Sequence, residues 1–448
     1  MNRLTFRGGI HPAAKKELTE NRPLIDVLPP DLLYFPINQH IGAPLSPLVS
    51  VGDTVKRMQK IADSDAFLSA PLHSSVSGKV KDIGLYMNHS NAKVPTIVIE
   101  NDGLDTMCEP QNLKNPDDLT PDEMREIIRE AGIVGMGGAG FPTHVKLSPP
   151  KDKKITHLIA NAAECEPYLT ADRRVMLEMT DAVIEGLGYI MKMLSLDECY
   201  IGIEENAKDA ILALEKKLGN NSNIHIKVLR QKYPQGSEKH MISAITKKEV
   251  PVGALPMDVG CIVINIGTVA MVYYAITKRL PLYKRVVTVS GDIVKNPGNF
   301  LARVGTPFRK ITDAAGRFTE EPAKIIMGGP MMGIASISLD VPIVKGTSGI
   351  LLFSEKLAHA KKELACIRCG RCFSACPMNL MPTTLDMYSR KSNVDTLIKN
   401  DVMSCIECGS CTYVCPSKRF LVQSIRMGKQ QVQKRAAKER QKEVKGNE

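Results

Sequence analysis

Eight cysteines near the carboxyl end of this 448-residue chain have the spacing of metal ligands. They form two copies of one pattern, Cys-x-x-Cys-x-x-Cys-x-x-x-Cys-Pro, at residues 366–377 and 405–416. Three thiolates at this spacing can bind three corners of a [4Fe–4S] cluster, while the fourth cysteine binds the other cluster. The rule assigns Cys366, Cys369, Cys372 and Cys415 to a first cluster, and Cys376, Cys405, Cys408 and Cys411 to a second.

Structural zinc is the alternative for these cysteines. Zinc sites usually present paired Cys-x-x-Cys units without a third cysteine or a closing Cys-Pro, so the duplicated pattern favours two clusters. The chain begins without the apolar stretch of a signal peptide, and we expect reduced thiols and a cytosolic protein. The remaining cysteines have no partner spacing and are interpreted as buried free thiols: Cys108, Cys165, Cys199 and Cys261.

A glycine-rich run at residues 135–140 is the second candidate site. It satisfies Gly-x-Gly-x-x-Gly, but the dinucleotide fingerprint requires a preceding strand, and here a helix is predicted to begin at the capping box Thr120-Pro121-Asp122-Glu123. Glycines let backbone N–H groups approach a phosphate or a flat ring closely. A tight turn would produce the same pattern, so the run alone leaves both interpretations open.

Strands and helices alternate after this run, which predicts parallel β-α-β units with ligands at the carboxyl ends of the strands. The segment 259–276 has eighteen residues without a formal charge; its β-branched first half predicts a buried strand followed by a helix, not a membrane span. The other predicted elements are strand 157–162, helices within 172–193, strand 199–203, helix 205–218 and strand 224–229.

The regions on either side have different compositions. Short β-like runs broken by Gly, Pro and Ser at residues 40–100 predict an all-β module that resembles the lipoyl/biotinyl carrier fold. Its central turn, residues 63–67, lacks the lysine that holds a prosthetic group, so we expect a scaffold. A second β-rich part follows near 283–352, and residues 384–403 look helical between the cysteine motifs, which favours an α-helical ferredoxin.

The formal charge of +11 is unevenly distributed. Residues 417–448 contain ten Lys or Arg and three Glu, so 10 − 3 = +7 of the charge lies in this tail. A nucleic-acid-binding protein should carry its basic footprint across a folded face, and we therefore expect no nucleic acid. Two interpretations of the tail stay open: a solvated, disordered charge run, or a segment that docks onto anionic lipid or an acidic partner.

Further motifs accompany the glycine run: Lys146, the run 161–167, the run 233–238, and Asn265 with Thr268. Together with the glycine run they resemble the flavin/NADH-binding subunit of respiratory complex I and related hydrogenases. The runs 6–12 and 39–44, with the tandem cysteine motifs, resemble more specifically the C subunit of the Rnf electron-transport complex. This resemblance covers nearly the whole chain.

The resemblance implies the residues of a cofactor site. Phe141, Glu166 and Glu238 would meet NAD(H), since an aromatic ring can stack on a planar ring and Glu can bind ribose hydroxyls. The glycine loop, including Gly140, and a lysine suit a phosphate. The residues implied to hold FMN are Gly135, Gly137, Gly138, Lys146, Asn161, Tyr233, Asn265 and Thr268.

It also implies a function. The chain would be a peripheral electron-transfer subunit, on the cytoplasmic side of the cell membrane, of a ferredoxin:NAD⁺ oxidoreductase coupled to Na⁺ or H⁺ translocation. Its cofactors would be FMN, NAD(H) and two [4Fe–4S] clusters, because a flavin can convert the two electrons of a nicotinamide into the single electrons of clusters. Its partners would be the other subunits of the complex and ferredoxin, reached directly or through a partner subunit.

Two alternatives remain. A cobalamin reductase of the propanediol-utilisation type resembles this layout and would pass electrons to a corrinoid. A non-enzymatic iron–sulfur connector is the other, because Ala163 and Ser237 depart from the complex I pattern.

The expected fold class is therefore multidomain, α/β plus β. Its predicted parts are a barrel-sandwich module at 1–110, a Rossmann-like α/β FMN/NAD(H) domain at 111–282, a β-grasp-like module at 283–352, a helical ferredoxin domain at 353–425 and a basic tail at 426–448.

Overall fold

The computed structural model describes residues 4–109, 114–219 and 223–446, with side chains as far as residue 442. The predicted boundary between residues 110 and 111 lies outside the described residues. In chain order the strands are β1 (Leu24–Asp26), β2 (Leu32–Pro36), β3 (Ser46–Pro47), β4 (Thr54–Val55), β5 (Lys60–Asp63), β6 (Leu72–His73), β7 (Gly78–Met87), β8 (Lys93–Asn101), β9 (His157–Ala162), β10 (Cys199–Glu204), β11 (Ile224–Leu229), β12 (Cys261–Asn265), β13 (Lys284–Ser290), β14 (Gly298–Arg303), β15 (Lys324–Met327), β16 (Ile334–Ser336) and β17 (Gly349–Phe353).

The α-helices lie mainly in the second and fourth modules. They are α1 (Pro121–Glu130), α2 (Thr143–Lys146), α3 (Ala171–Glu178), α4 (Thr180–Leu194), α5 (Lys208–Leu218), α6 (Glu238–Thr246), α7 (Ile266–Lys278), α8 (Phe308–Ala314), α9 (Glu355–Ala358), α10 (Arg371–Ala375), α11 (Pro382–Arg390), α12 (Val394–Lys399), α13 (Ser410–Tyr413) and α14 (Leu421–Gly446).

The amino-terminal β module is a sandwich of two sheets around one apolar core. One sheet has the order β2-β8-β7-β4, and the other has the order β3-β5-β6. Buried side chains of both sheets, such as Phe35, Ile61 and Ile97, pack together between them. The turn that would carry a carrier lysine packs against α2, where the carbonyl of Phe67 lies 3.0 Å from His144 Nε2. The all-β prediction for this region is confirmed.

The chain before this sandwich lies elsewhere. Leu4 and Ile10 form bridges with Leu229 and Tyr233 of the α/β domain, and β1 pairs in parallel with β14 of the third sheet. The sequence interpretation counted these residues with the sandwich, because nothing in a three-residue strand indicates which distant strand it will join.

The second module is a four-stranded parallel sheet with helices on both faces. The strand order is β11-β10-β9-β12, so the chain moves outward from β9 to β11 and then returns to the other side of β9. Helices α1, α3, α4, α5 and α7 bury apolar side chains against one face, while α6 packs on the other. The alternation predicted from the sequence is confirmed, as is the capping box, in which Thr120 and Glu123 bond reciprocally.

The third module is a six-stranded mixed sheet in the order β1-β14-β13-β17-β15-β16. Helix α8 covers one face, where Phe308 and Ile311 join the buried core of the sheet. The predicted β-rich part at 283–352 is therefore present, and β1 extends it at one edge.

The fourth module consists of short helices around the cysteine motifs. The helical character predicted for residues 384–403 is present and is divided between two helices, α11 and α12. The break has a local cause, because Ser392 adopts the left-handed conformation with φ 52° and Asn393 caps α12 by accepting the N–H of Thr396.

The basic tail continues this module as helix α14, which runs through Gly446. Its first half belongs to the core of the module: Leu421, Ile425 and Val432 are buried against α11 and α12. The tail therefore begins as a structural helix, and the interpretation as a disordered charge run does not describe it.

The uncharged segment 259–276 forms β12 and most of α7, as predicted. Across the described part of the chain, none of the helices combines the length and the apolar character needed to cross a lipid bilayer.

Candidate functional site

The topology places one candidate site where the strand order of the α/β sheet reverses. Strands β9 and β12 are neighbours in the sheet, but the chain leaves β9 toward β10 on one side and later reaches β12 on the other side. Open α/β sheets bind ligands in the crevice beyond the ends of two such strands. Asn161 and Asn265 are register partners at the ends of these two strands. The structure therefore brings together two residues that are 104 positions apart in the sequence.

Asn265 supports the glycine loop from below. Its Oδ1 accepts the N–H groups of Gly267 and Thr268 and so caps α7, while its Nδ2 donates to Asp172 Oδ2 at 2.7 Å. The buried Thr268 hydroxyl accepts the N–H of Met136 at 2.9 Å. A Cβ at Gly137 would lie 2.7 Å from Asn265 Nδ2, so the loop requires glycine at this close approach.

The opposite side of the loop is open. Residues 137–139 are exposed, and a Cβ at Gly138 would meet nothing within 4 Å. The N–H groups of residues 137–139 donate to no acceptor in the part of the chain that the structure describes. Exposed, unpartnered backbone N–H groups along a glycine turn are the donors that anions use. The loop thus fits a phosphate-bearing cofactor such as FMN.

Lys146 and Glu238 form an ion pair between α2 and the start of α6. Lys146 Nζ lies 2.9 Å from Glu238 Oε1 and donates to the carbonyl of Val263 at 2.8 Å. Their side chains are 31% and 39% exposed, so water and ligands can reach both. The structure brings together a residue assigned to FMN and a residue assigned to NAD(H).

Asn161 holds two turns together rather than projecting freely. Its Nδ2 donates to the carbonyl of Gly236 at 2.8 Å, and its Oδ1 accepts the N–H of Ala163 at 3.1 Å. Phe141, assigned to NAD(H), is half-buried at the end of the glycine loop.

Glu166 lies between the α/β domain and the third module. Its two carboxylate oxygens accept the N–H groups of Met331 at 3.0 Å and Met332 at 2.9 Å. Burial raises its pKa to about 7. The carboxylate therefore joins two modules in the structure, and its contact with NAD(H) stays a prediction.

Tyr233 lies at the contact with the second cysteine loop. The side chain is 1% exposed, and its hydroxyl donates to the carbonyl of Cys408 at 2.8 Å. Burial, and then the nearby charge of Glu166, raise its pKa above the ordinary value. The sequence assigned Tyr233 to FMN, and the structure places it at the contact between the α/β domain and the second cysteine loop.

The cysteines separate into two groups. Cys366, Cys369, Cys372 and Cys415 line one small cavity, together with Thr383 and Arg419. In the other group, Cys376, Cys405 and Cys408 lie near enough to Cys411 to disfavour its ionisation, although burial is the larger cause and raises its pKa to about 12. No three His, Cys, Asp or Glu side chains among the described residues converge on a single metal ion. The grouping follows the assignment made from spacing, and a thiolate donor set suits iron–sulfur clusters.

The second cysteine group is packed against the α/β domain. The N–H of Gly9 donates to Ala375 O at 3.0 Å, and His240 Nε2 lies 3.0 Å from Pro377 O. A Cβ at Gly8 would lie 2.8 Å from Cys376 O, so this approach also requires glycine. In the first group, by contrast, Cys366 and Cys369 are exposed.

Sequence reasoning missed several buried charged residues around the glycine loop. Arg285 donates to the carbonyls of Met136, Lys345 and Thr347 at 2.6 to 2.7 Å. Lys345 Nζ donates to Pro71 O at 2.6 Å in the sandwich and to Gly132 O at 2.7 Å in the α/β domain. These cations tie three modules together at the loop.

Two partly buried carboxyls, Glu164 and Asp172, were assigned no role from the sequence. Glu164 Oε1 accepts the N–H of Asp172 at 3.0 Å, and burial raises the pKa of both groups, that of Glu164 to about 7. The only sequence signal for a role of Asp172 was its position in the first turn of a helix that follows a strand. Acidic residues are common in the first turn of helices, so this signal is weak.

A separate cavity of ≈ 180 Å³ lies beyond β9, β10 and β11. The buried Glu204 faces it, and burial raises the pKa of this carboxyl to about 7. Other polar residues that line the cavity are His11, Lys16, Cys165, Gln231, Lys232 and Tyr233.

The glycine loop gives one sharp stability prediction. Gly137→Ala is expected to lower both the melting temperature of the cofactor-free chain and its FMN content, because the new Cβ meets Asn265. Gly138→Ala should leave the melting temperature within about 1 °C while still reducing FMN retention, because its Cβ fills only the open side of the loop. Differential scanning fluorimetry and flavin extraction measure the two effects. Equal losses of stability in both variants would contradict the placement.

Four protein families match successive parts of the chain. They are the RnfC barrel sandwich hybrid domain at residues 4–104, the Nuo51 FMN-binding domain at 128–274, the SLBB domain at 286–335 and the 4Fe-4S dicluster domain at 365–419. These matches confirm the expected fold class and the predicted FMN and [4Fe–4S] cofactors. The dicluster match also decides against structural zinc.

Full-length relatives agree with these matches. The chain is 50% identical over 441 residues to the C subunit of the proton-translocating ferredoxin:NAD(+) oxidoreductase complex of Clostridium ljungdahlii, covering 98% of this chain and 96% of that one. It is 46% identical to the Na(+)-translocating counterpart of Acetobacterium woodii, covering 96% and 97%. It is 40% identical to the C subunit of the ion-translocating oxidoreductase complex of Rhodobacter capsulatus, covering 98% and 85%. The chain therefore belongs to the family of C subunits of ion-translocating ferredoxin:NAD⁺ oxidoreductase complexes.

Proposed function

We propose that this chain is the electron-transfer subunit that exchanges electrons with NAD(H) in a membrane-bound ferredoxin:NAD⁺ oxidoreductase complex. The observation that carries the proposal is the hydrogen bond from Tyr233 to Cys408, because it joins the flavin-binding domain directly to the second cysteine group. The subunit names of its relatives support the net reaction and the coupling to an ion. Those relatives differ in the ion, so Na⁺ and H⁺ both remain options.

The glycine loop would hold FMN. The free N–H groups of residues 137–139 would bind the phosphate, and Lys146 at the rim would add positive charge. Below the loop, Thr268 holds its backbone by accepting the N–H of Met136, while Asn265 caps α7 and lies against Gly137. Bound FMN supplies the conversion between a two-electron hydride donor and one-electron carriers. Phe141 and Glu238 are proposed to contact NAD(H) on the same side.

The structure supports an order for the two clusters. Cys376, Cys405, Cys408 and Cys411 would hold the cluster nearer to the flavin, because this group contacts the α/β domain through Tyr233, Gly9 and His240. Cys366, Cys369, Cys372 and Cys415 would hold the outer cluster, because Cys366 and Cys369 are exposed. Electrons from NADH would pass from FMN to the second cluster, then to the first, and then to the next protein.

Cofactor content tests this proposal. After anaerobic purification, the chain should contain about eight iron atoms and about one FMN. NADH titration should bleach the cluster absorption. Two clusters without flavin and without NADH-dependent bleaching would sink the proposal and favour the non-enzymatic connector.

The subunit is further proposed to sit peripherally on the cytoplasmic face of the membrane, with the other subunits and ferredoxin as redox partners. The exposed part of α14 carries Lys434, Lys438, Arg440 and Lys442, none of which has an ion-pair partner in the described region. Such a basic helix suits an anionic lipid surface, where each Lys or Arg contributes about 1 kcal/mol.

Changing these four residues to Gln is expected to weaken binding to phosphatidylserine vesicles at low salt by on the order of a thousandfold. Sedimentation with vesicles measures this loss, and phosphatidylcholine vesicles serve as the uncharged control. Truncation after Phe420 is unsuitable as a test, since it removes buried Leu421, Ile425 and Val432. Unchanged binding by the Gln variant would refute the lipid role.

A further inference from the structure

The two cysteine loops are structural repeats. Cys366-Ile367-Arg368-Cys369-Gly370 corresponds to Cys405-Ile406-Glu407-Cys408-Gly409. Arg368 and Glu407 both adopt the left-handed conformation, with φ 55° and 58°, and the two glycines follow with φ 75° and 76°. A short helix begins directly after each loop, α10 after the first and α13 after the second. Equivalent positions of the two loops can therefore be compared one by one.

The second loop uses its equivalent positions for docking. Ile406 packs against the apolar cluster that contains Ile10 and Tyr233. A Cβ at Gly409 would lie 3.2 Å from Met331 O in the third module. This loop thus faces two other modules of the same chain.

The charge on the second loop is also matched. Glu407 accepts from Arg426 at 2.8 Å and from Lys429 at 2.6 Å, both on α14. Ile406, Glu407 and Gly409 of the second loop are therefore all in contact with other parts of the protein.

The first loop presents the same positions to solvent. Ile367 is 67% exposed, and a Cβ at Gly370 would meet nothing within 4 Å. Arg368 and Arg371 are exposed and have no carboxylate partner within the described ranges. Phe373, on α10, is 48% exposed. Two large apolar side chains and two free guanidinium groups thus surround a pair of exposed cysteines.

We propose that this surface, defined by Ile367, Arg368, Arg371 and Phe373, docks an electron-carrying partner subunit of the complex. The partner would offer an apolar socket for Ile367 and carboxylates for the two arginines. In the second loop the chain itself meets the same needs, since it covers Ile406 with apolar side chains and places cations beside Glu407. The proposal rests on the proposed function and adds to it the place and chemistry of electron exit.

The composition of the surface supports a protein partner. Aromatic side chains and arginine are enriched at the centres of protein interfaces. The arginines would steer an acidic partner toward the exposed cluster, which makes the encounter faster and sensitive to salt. The reduced first cluster would give one electron to an oxidised centre of the partner and return to its own oxidised form.

A rebinding experiment tests the proposal. The purified holoprotein is added to membranes from a strain that lacks this chain but retains the other subunits, and the bound fraction is measured. The double variant Arg368→Glu, Arg371→Glu is expected to bind at least about tenfold more weakly than the unmodified chain, because like charges would meet across the interface. Raising the salt concentration should weaken the unmodified chain and have less effect on the variant.

A matched control changes the same charge elsewhere. Lys151→Glu with Lys216→Glu alters two exposed lysines of the α/β part that have no ion pair in the described segments. The control is expected to bind normally. Equal binding by the control and the arginine variant would overturn the proposal.

Two further measurements separate causes. Iron content and the electron paramagnetic resonance signals of both clusters show whether the variant keeps its cofactors. If Arg368→Glu with Arg371→Glu loses iron, Arg368→Gln with Arg371→Gln is used instead and its binding is compared with that of the same control. Ile367→Ser should also weaken binding, and normal binding by Ile367→Ser would remove the apolar socket from the proposal. Failure of NADH to reduce the clusters of the unmodified chain would refute the proposed function, whereas normal reduction with unaltered rebinding of the variants would refute the docking surface alone.

Discussion

Cys408→Ser should prevent NADH from reducing either cluster, whereas Cys369→Ser should leave NADH reduction of the second cluster intact. The difference follows from the position of the two groups. Cys408 lies at the interface with the flavin-binding domain, where its carbonyl accepts from Tyr233, while Cys369 is exposed. If electrons from FMN reach the first cluster only through the second cluster, loss of the second cluster leaves no cluster that NADH can reduce.

The measurement is electron paramagnetic resonance of each variant after reduction by NADH and, separately, by dithionite. Dithionite should reveal one cluster in each variant. This signal would show that the cluster whose ligands are unchanged is still assembled. Reduction by NADH should produce the same signal as dithionite in Cys369→Ser. In Cys408→Ser, reduction by NADH should produce essentially no signal.

Flavin content and the melting temperature control for misfolding. A variant whose FMN is retained and whose dithionite signal is present has kept both the flavin domain and the remaining cluster. NADH reduction of the first cluster in Cys408→Ser would contradict the order FMN, second cluster, first cluster, and would place the first cluster next to the flavin.

Glu204→Gln should make the cofactor-free chain more stable at pH 8. Glu204 is 3% exposed, and burial raises its pKa from the ordinary 4.5 to about 7. Between these two pH values the folded chain holds a proton that the unfolded chain has lost, so stability falls as the pH rises from about 4.5 to about 7 and stays low above it. Each pKa unit corresponds to about 1.4 kcal/mol, so the shift from 4.5 to about 7 sets an upper bound of about 3.5 kcal/mol for the gain.

Glutamine is a suitable replacement because the N–H of Lys232 donates to Glu204 Oε1 at 3.2 Å, and the amide oxygen of Gln can accept the same bond. Urea unfolding at pH 5, 6, 7 and 8 measures the effect. The difference between variant and unmodified chain should be small at pH 5 and grow toward pH 8.

The exposed Glu321→Gln serves as the control. Glu164 and Glu166 remain in both proteins, and their raised pKa values give the same sign of pH dependence, so only part of the decline should disappear. A constant difference across the pH range would show that Glu204 does not titrate in this interval.

Local patterns determined much of the fold and the cofactor chemistry. The doubled cysteine motif indicated two clusters because most ligands of each cluster lie within a few residues of one another. The capping box at Thr120 and the strand-helix alternation are also short-range signals, and both are present in the structure. The glycine loop and its companion motifs indicated the flavin-binding domain, and the family matches confirm that domain.

Contacts between modules decided the rest. Neither spacing nor composition predicts that Tyr233 meets Cys408, that Glu166 accepts from the third module, or that Lys345 joins the sandwich to the α/β domain. The break between α11 and α12 depends on a single left-handed residue. The beginning of the tail is structural because its apolar side chains find partners on other helices.

The physical reason for this division is the sequence separation of the groups involved. The cysteine motifs encode their ligand geometry within one loop, so their chemistry can be read before the chain is folded. The placement of the two cysteine groups depends instead on contacts between residues 175 positions apart, as in Tyr233 and Cys408. The sequence by itself determined which cofactors this protein carries, and only the packing of its modules decided which cysteine group lies against the flavin-binding domain and which is exposed.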